Sequence, residues 1–170
     1  TVRLFDPNTS LIPALANEFG GRGVAFETAA SVEQAVRGAD VIITTTPSHE
    51  PVVERAWVAD GAHISAIGAD APGKQELDPA ILGAARVFVD DPEQASHSGE
   101  INVPLASGAF QSEQIAGTLG QVLAGKIEGR RSPRDITVFD STGLALQDVA
   151  TARAVYDRAV REKIGITIPF

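Results

Sequence analysis

Short apolar runs alternate along this chain with stretches whose apolar positions recur three or four residues apart. The first pattern, over about four to eight residues bounded by turn formers, reads as a strand; the second reads as a helix. "VRLF" (residues 2–5) is thus a strand, closed by the turn signal Asp6-Pro7-Asn8. Residues 10–19 read as a helix with Leu11, Leu15 and Phe19 on one face, stopped by "GGRG". "VAFET" (24–28) is a second strand. Ser31 and Gln34 have capping-box spacing and open a short helix that ends at Gly38. "DVIITTT" (40–46) is a third strand, apolar enough for burial on both faces. A short helix over 51–60, a fourth strand "AHISAIG" (62–68), a capped helix over 78–85 and a fifth strand "RVFVDD" (86–91) follow. Residues 92–110 read as helix plus loop, 112–125 as helix, 128–135 as a polar loop and "ITVFD" (136–140) as a sixth strand. A long helix over 144–163, with Leu146, Val149, Ala150, Val155, Ala159 and Val160 expected inward, precedes the short tail "ITIPF".

Strands that alternate with helices imply βαβ units and a parallel sheet. The expected fold is α/β, a doubly wound, mostly parallel sheet with flanking helices. Several strands end in Asp or Thr: Asp6, Thr46, Asp70, Asp90 and Asp140. Ligands of open α/β sheets bind beyond the carboxyl ends of the strands, so these polar residues gather where a ligand would sit. Composition narrows the chemistry. The 170 residues carry a net charge of −8, which argues against a nucleic-acid or anionic-membrane surface. The chain has no cysteine, so disulfides and thiolate metal sites are excluded. No apolar run approaches the roughly 20 residues of a membrane span.

Each candidate residue has a plain structural reading beside a chemical one. In a dinucleotide-binding fold, an acid at the end of the second strand accepts hydrogen bonds from the adenosine ribose, and Asp6 could be that acid. By position alone, an Asp-Pro turn explains Asp6 better. The glycine fingerprint G-x-G-x-x-G should precede such an acid by about 20 residues, and only five residues precede Asp6. "FGGRGV" has the wrong spacing and ends a helix. On the dinucleotide reading, the chain is therefore expected to be a piece of a longer enzyme, lacking its first strand and phosphate loop. That strand would be central in the 3-2-1-4-5-6 order, so its loss should leave a gap in the sheet. Thr46 is equally a strand residue and a hydroxyl at a nucleotide. Gly68 and Ala69 are small enough for a flat ring to approach the backbone. Asp70 beside such a ring could act as a general base, or could terminate the strand in an Asx turn. Lys74 is a solvated loop charge or a phosphate or substrate partner. Ser141 and Thr142 are helix caps or an anion-binding rim. His49, His63 and His97 show no metal-ligand spacing, and there is no G-x-S-x-G elbow.

Together, "ADVIITTTPS", "HISAIGADAPGKQELD", "VFVDDPEQASHSGEI" and "ITVFDSTGLALQDVATA", in this order, resemble the ornithine cyclodeaminase/mu-crystallin family, and within it the bacterial and archaeal alanine dehydrogenase-like members. The resemblance covers nearly the whole chain and implies a cytoplasmic homodimer of two domains. Residues 1–143 match the NAD(P)-binding Rossmann domain from its second strand onward. Residues 144–170 are expected to pack toward a dimerisation and substrate domain that this chain lacks, along with the family's carboxylate-binding arginine and lysine. Carried over by motif, Asp6 resembles the ribose-binding acid and Thr46 a nucleotide contact. Ile67, Gly68 and Ala69 resemble the backbone lying against the cofactor, and Asp70 the acid/base aspartate. Lys74 resembles a lysine at the cofactor, Ser141 a serine near the nicotinamide and Thr142 its substrate-facing neighbour. The acid in "FDPNTS", with no nearby arginine, favours NAD over NADP. The implied activity is hydride transfer on an L-amino acid or its cyclic imine, with a dehydrogenase, cyclodeaminase or ketimine reductase outcome. The alternative is a non-catalytic ligand-binding protein of the mu-crystallin kind. This chain by itself is expected to be inactive.

Overall fold

Parallel strand pairing organises the chain into two sheets, with residues 1–21, 23–166 and 168 described in a computed structural model. The tail expectation for Thr167, Pro169 and Phe170 lies outside the described residues, as does Arg22 of "GGRG". Strand β1 (Val2–Leu4) leads through helix α1 (Leu11–Phe19) to β2 (Phe26–Thr28), and β1 and β2 form a two-stranded parallel sheet. Helix α2 (Val32–Val36) then leads into β3 (Val41–Thr44). Next come β4 (His63–Ala66), α3 (Pro79–Ala84), β5 (Arg86–Val89), α4 (Pro92–Ser98) and α5 (Asn102–Ser107). The chain continues through β6 (Ile115–Thr118), α6 (Leu119–Leu123), β7 (Thr137–Asp140) and α7 (Ala145–Glu162). The second sheet has five parallel strands in the order β3-β4-β7-β5-β6. The β1–β2 pair is not hydrogen-bonded to β3, so the sheet is interrupted at the position expected for a central strand. Arg3 of β1 instead donates from Nη1 to the carbonyls of Gln34 and Arg37 at the end of α2.

Register explains where the core sits. Ile42, Ile64, Val138 and Val87 are paired across the sheet, and so are Thr44, Ala66, Asp140 and Val89 one step further on. Both rows lie on one face and are buried. They pack with Leu77, Ile81, Leu82, Ile101 and Phe110 from the covering helices and loops. Each such side chain contributes about 1.5–3 kcal/mol by leaving water. The helices start where short-range chemistry directs. Ser31 accepts from Gln34 N while Gln34 Oε1 accepts from Ala30 N. Asp78 caps α3 and Asp91 caps α4, each with proline at the first turn.

Four expectations need correction. Strand β3 is buried on one face only: Val41 and Ile43 are 59% and 66% exposed, because no described element covers that side. Residues 51–60 form no α-helix. Val52 N and Val53 N donate to the Glu76 carbonyl, Val53 bridges Leu77 in parallel, and only Arg55–Trp57 coil into a 3-10 turn. Residues 112–125 are not one helix but a 3-10 turn, the edge strand β6 and the five-residue α6. Pairing with β5 overrides the helical periodicity, and Gly117 at φ 144 holds a backbone conformation that no helix continues. Finally, α7 has no buried residue, and Leu146, Val149, Val155 and Val160 are all exposed.

Candidate functional site

The carboxyl ends of β3, β4 and β7 lie side by side. Thr44 pairs with Ala66, and Ala66 with Asp140. One residue beyond, Ile67 N donates to Thr44 O at 2.9 Å and Ser141 N donates to Ala66 O at 3.0 Å. The segments "TTP", "IGAD" and "STG" therefore leave the sheet from neighbouring strands and form one rim. Thr46, Ile67, Gly68, Ala69, Asp70, Ser141 and Thr142 lie on these three segments. Lys74 reaches the rim through its own loop: Lys74 Nζ donates to Asp70 Oδ1 at 2.5 Å. Asp6 does not share this register. It follows β1 in the two-stranded sheet, and its Oδ1 accepts from Asn8 N at 2.7 Å, the Asx turn of the plain reading. Its second carboxylate oxygen has no partner among the described residues.

Asp70 is the exposed acid of the rim, with its side chain 63% accessible. Hydrogen bonding to Lys74, and then the lysine's charge, hold its carboxyl below the usual range. It is therefore ionised near neutral pH, the state a general base requires. Thr142 is fixed by Asp90 at the end of β5: its N–H and hydroxyl both donate to that carboxylate, at 2.8 and 2.6 Å, and Gly143 N adds a third bond. The Ser141 hydroxyl has no partner among the described residues. Thr46 donates its hydroxyl to Glu76 Oε1 at 2.8 Å, leaving only an oxygen lone pair for a ligand. Gly68 has a packing reason to be small. A Cβ there would run into the Thr46 carbonyl, with Thr46 N at 2.5 Å and Glu76 Oε1 at 2.6 Å. The rim offers close-packed backbone at 67–69 and, among the described residues, an unpaired hydroxyl at Ser141, groups compatible with the nicotinamide end of a dinucleotide, while the free carboxylate oxygen of Asp6 lies at the end of the separate β1–β2 sheet. Shallow hollows lined by Ala85, Arg86 and Arg131 lie at the opposite, amino ends of β5 and β7.

Sequence reasoning missed what supports the rim. Asp140 was read as one of the polar strand ends near a ligand, but it is fully buried and accepts from Glu100 N and Ile101 N. Glu100, also fully buried, accepts from Glu76 N and Leu77 N. Glu76 accepts from the ends of β3 and β4. Asn102 accepts from Gly73 N and donates to Lys74 O, pinning the turn that carries Lys74. No short-range pattern in "KQELD" or "SGEI" distinguishes these acids from surface charge.

Burial pushes Glu100 up to about 8 and Asp140 up to about 7. A carboxyl whose folded value is raised keeps a proton that the unfolded chain releases. Its contribution is largest below the unfolded value and is lost as pH rises toward the folded one. The thermal midpoint of the unsubstituted protein, measured relative to Glu100→Gln at constant ionic strength, should therefore fall as pH rises from about 4.5 to about 8. A difference that is flat or rising across that window would contradict the assignment.

A profile of the ornithine cyclodeaminase/mu-crystallin family matches residues 1–163. The chain belongs to that family. It is 47% identical over 171 residues to the alanine dehydrogenase of Archaeoglobus fulgidus, a match covering 99% of this chain and 52% of that protein. The solved structure of an archaeal alanine dehydrogenase dimer with bound NAD superposes with a TM-score of 0.90 at 46% identity, over 99% of this chain and 52% of that one. The Thermococcus litoralis Δ1-pyrroline-2-carboxylate reductase in complex with NADH and L-proline gives a TM-score of 0.91 at 30% identity, over 98% and 52%. Family membership accounts for the Rossmann-like topology. The chain spans about half the length of the curated relatives it matches. Among the described residues, no helix is long and apolar enough to cross a membrane.

Proposed function

We propose that the full-length polypeptide carrying these residues is a cytoplasmic, homodimeric, NAD-dependent enzyme that acts on an L-amino acid through its imine. The observation that carries this reading is the rim itself, where Thr46, Ile67–Asp70 and Ser141 converge from three paired strands beside the Asp70–Lys74 ion pair. The relatives that bind NAD or NADH and act on amino acids or cyclic imines support it. NAD, when bound, supplies the hydride acceptor or donor. The chain's own residues do the rest. Asp6 accepts from the ribose hydroxyls and repels a 2′-phosphate, and Thr46 contacts the nucleotide. The backbone of Ile67, Gly68 and Ala69 gives the cofactor a close-packed floor, and Ser141 offers its hydroxyl near the nicotinamide. Asp70, kept ionised by Lys74, takes the proton from water or from an amine as it adds to the imine carbon, then returns it as the leaving nitrogen departs. Lys74 borders the cofactor as well as holding Asp70. Thr142, clamped by Asp90, borders the substrate.

Residues 1–143 form the dinucleotide-binding part, and 144–170 pack toward a dimerisation and substrate domain. The exposed apolar positions of α7 support that second assignment. The test is turnover by the purified full-length polypeptide. L-alanine or L-ornithine is supplied with NAD, and a cyclic imine with NADH, while NADH absorbance and ammonia release are followed. NAD-dependent turnover of at least one class is expected, with higher kcat/KM for NAD than for NADP. Absence of turnover for all three classes would overturn the reading.

A further inference from the structure

Glu76 is fully buried and belongs to none of the ion pairs among the described residues. Its Oε1 accepts from Thr46 N at 2.5 Å and from the Thr46 hydroxyl at 2.8 Å. Its Oε2 accepts from the Thr44 hydroxyl at 2.6 Å and from Gly68 N at 2.8 Å. A carboxylate has about four acceptor positions and no donor, and here every one is filled. Two of the four donors are backbone N–H groups, one past the end of β3 and one past the end of β4. Those two backbones pack against each other where the chain leaves β3 and β4 for the rim.

Packing alone gives no reason for this residue. Burying a carboxylate without a countercharge is costly, and an apolar side chain would fill the space without that cost. What an acceptor-only group does, and an apolar one cannot, is draw two N–H groups from different strands to one point. Glu76 is itself held at its backbone. Its N–H donates to the Glu100 carboxyl oxygens at 3.0 and 3.1 Å, and its carbonyl accepts from Val52 N at 2.7 Å and Val53 N at 3.0 Å. Glu100 is fixed in turn by Asp140, whose strand continues into Ser141. The ends of β3 and β4 and the Ser141 strand are thus referenced to one another through a column of buried carboxyl groups.

We propose that Glu76 is a positioning residue that holds the Thr46 and Gly68 backbones in close register with each other, and so sets the surface that the ends of β3 and β4 present to the dinucleotide. This rests on the dinucleotide reading above. The test is Glu76→Gln in the full-length polypeptide. The amide keeps the volume but turns one oxygen into a donor. In either orientation that donor faces a backbone N–H, of Thr46 or of Gly68, which cannot rotate away. NADH titrated by fluorescence should bind about tenfold more weakly or worse. Without cofactor, hydrogen exchange should accelerate at the Thr46 and Gly68 amides while the Val138 amide of β7 is unchanged. A purely structural role would lower the melting temperature and leave the affinity of the folded fraction intact. Where Glu76→Gln does not fold, Thr44→Val replaces it, removing one donor to the same carboxylate, and about threefold weaker NADH binding is expected. A folded variant that binds NADH within about twofold of the unsubstituted protein overturns the positioning role alone. Failure of the unsubstituted protein to bind NADH overturns the dinucleotide reading, and this inference with it.

Discussion

Asp70→Asn in the full-length polypeptide is expected to lower kcat by about 100- to 10,000-fold, the range that loss of a general acid–base group produces. NADH affinity should stay within about twofold, since Asn keeps the volume and can still accept from Lys74. The ion pair explains why the loss falls on chemistry. Lys74 binds Asp70 through one oxygen, Oδ1, and lowers its carboxyl, so the reactive form near neutral pH is the carboxylate. Lys74→Met should then let the Asp70 carboxyl rise, moving the acid limb of the kcat/KM profile to higher pH. Steady-state rates across pH, with NADH titration alongside, check both. Undiminished turnover by Asp70→Asn would remove Asp70 from the reaction, and an unmoved acid limb would remove Lys74 from its control.

Gly68→Ala should be the most damaging single-methyl change in the rim. The added Cβ would run into the Thr46 carbonyl and lie 2.5 Å from Thr46 N and 2.6 Å from Glu76 Oε1. Two of these atoms are backbone, and the third belongs to a side chain held by four hydrogen bonds, so none can rotate aside. The strands must part instead, at a cost of roughly 1–3 kcal/mol, or about 2–12 °C in melting temperature for a chain of this size. NADH affinity should fall with it, because the same movement displaces the Thr46 and Ile67–Asp70 backbones at the rim. Gly83→Ala is the matched control: a Cβ there meets nothing within 4 Å on α3, and a helical alanine should stabilise by up to about 1 kcal/mol. Thermal unfolding of the two variants decides the point. A Gly68→Ala protein as stable as Gly83→Ala would mean that the ends of β3 and β4 are not tightly coupled.

Much of the rim was legible in order, if not in arrangement. "IGAD", "FDSTG" and "TTTPS" stand at strand ends in the sequence and meet at strand ends in the fold. The reading of Asp140 needed revision: it braces a distant turn instead of facing a ligand. Gly68 has, besides its reading as backbone against a ring, a packing reason to be small, because Thr46 and Glu76 leave no room for a Cβ. "SEQIAGTLGQVLAG" has helical spacing, yet Ile115–Thr118 pair with β5, since an available sheet edge outweighs a weak local preference.

The sequence by itself determined the alternation of strands and helices, the caps at Ser31 and Asp78, and which segments end in polar residues. Those features depend on neighbours a few positions apart, within reach of side-chain chemistry read along the chain. Only the tertiary structure decided that β7 enters between β4 and β5. It alone buried Glu76, Glu100 and Asp140 as a supporting column. Their partners lie between 8 and 40 residues away, as with Gly68 for Glu76 and Glu100 for Asp140. An acid whose hydrogen-bond partners lie at such distances looks, in its own stretch of sequence, like any solvated loop acid.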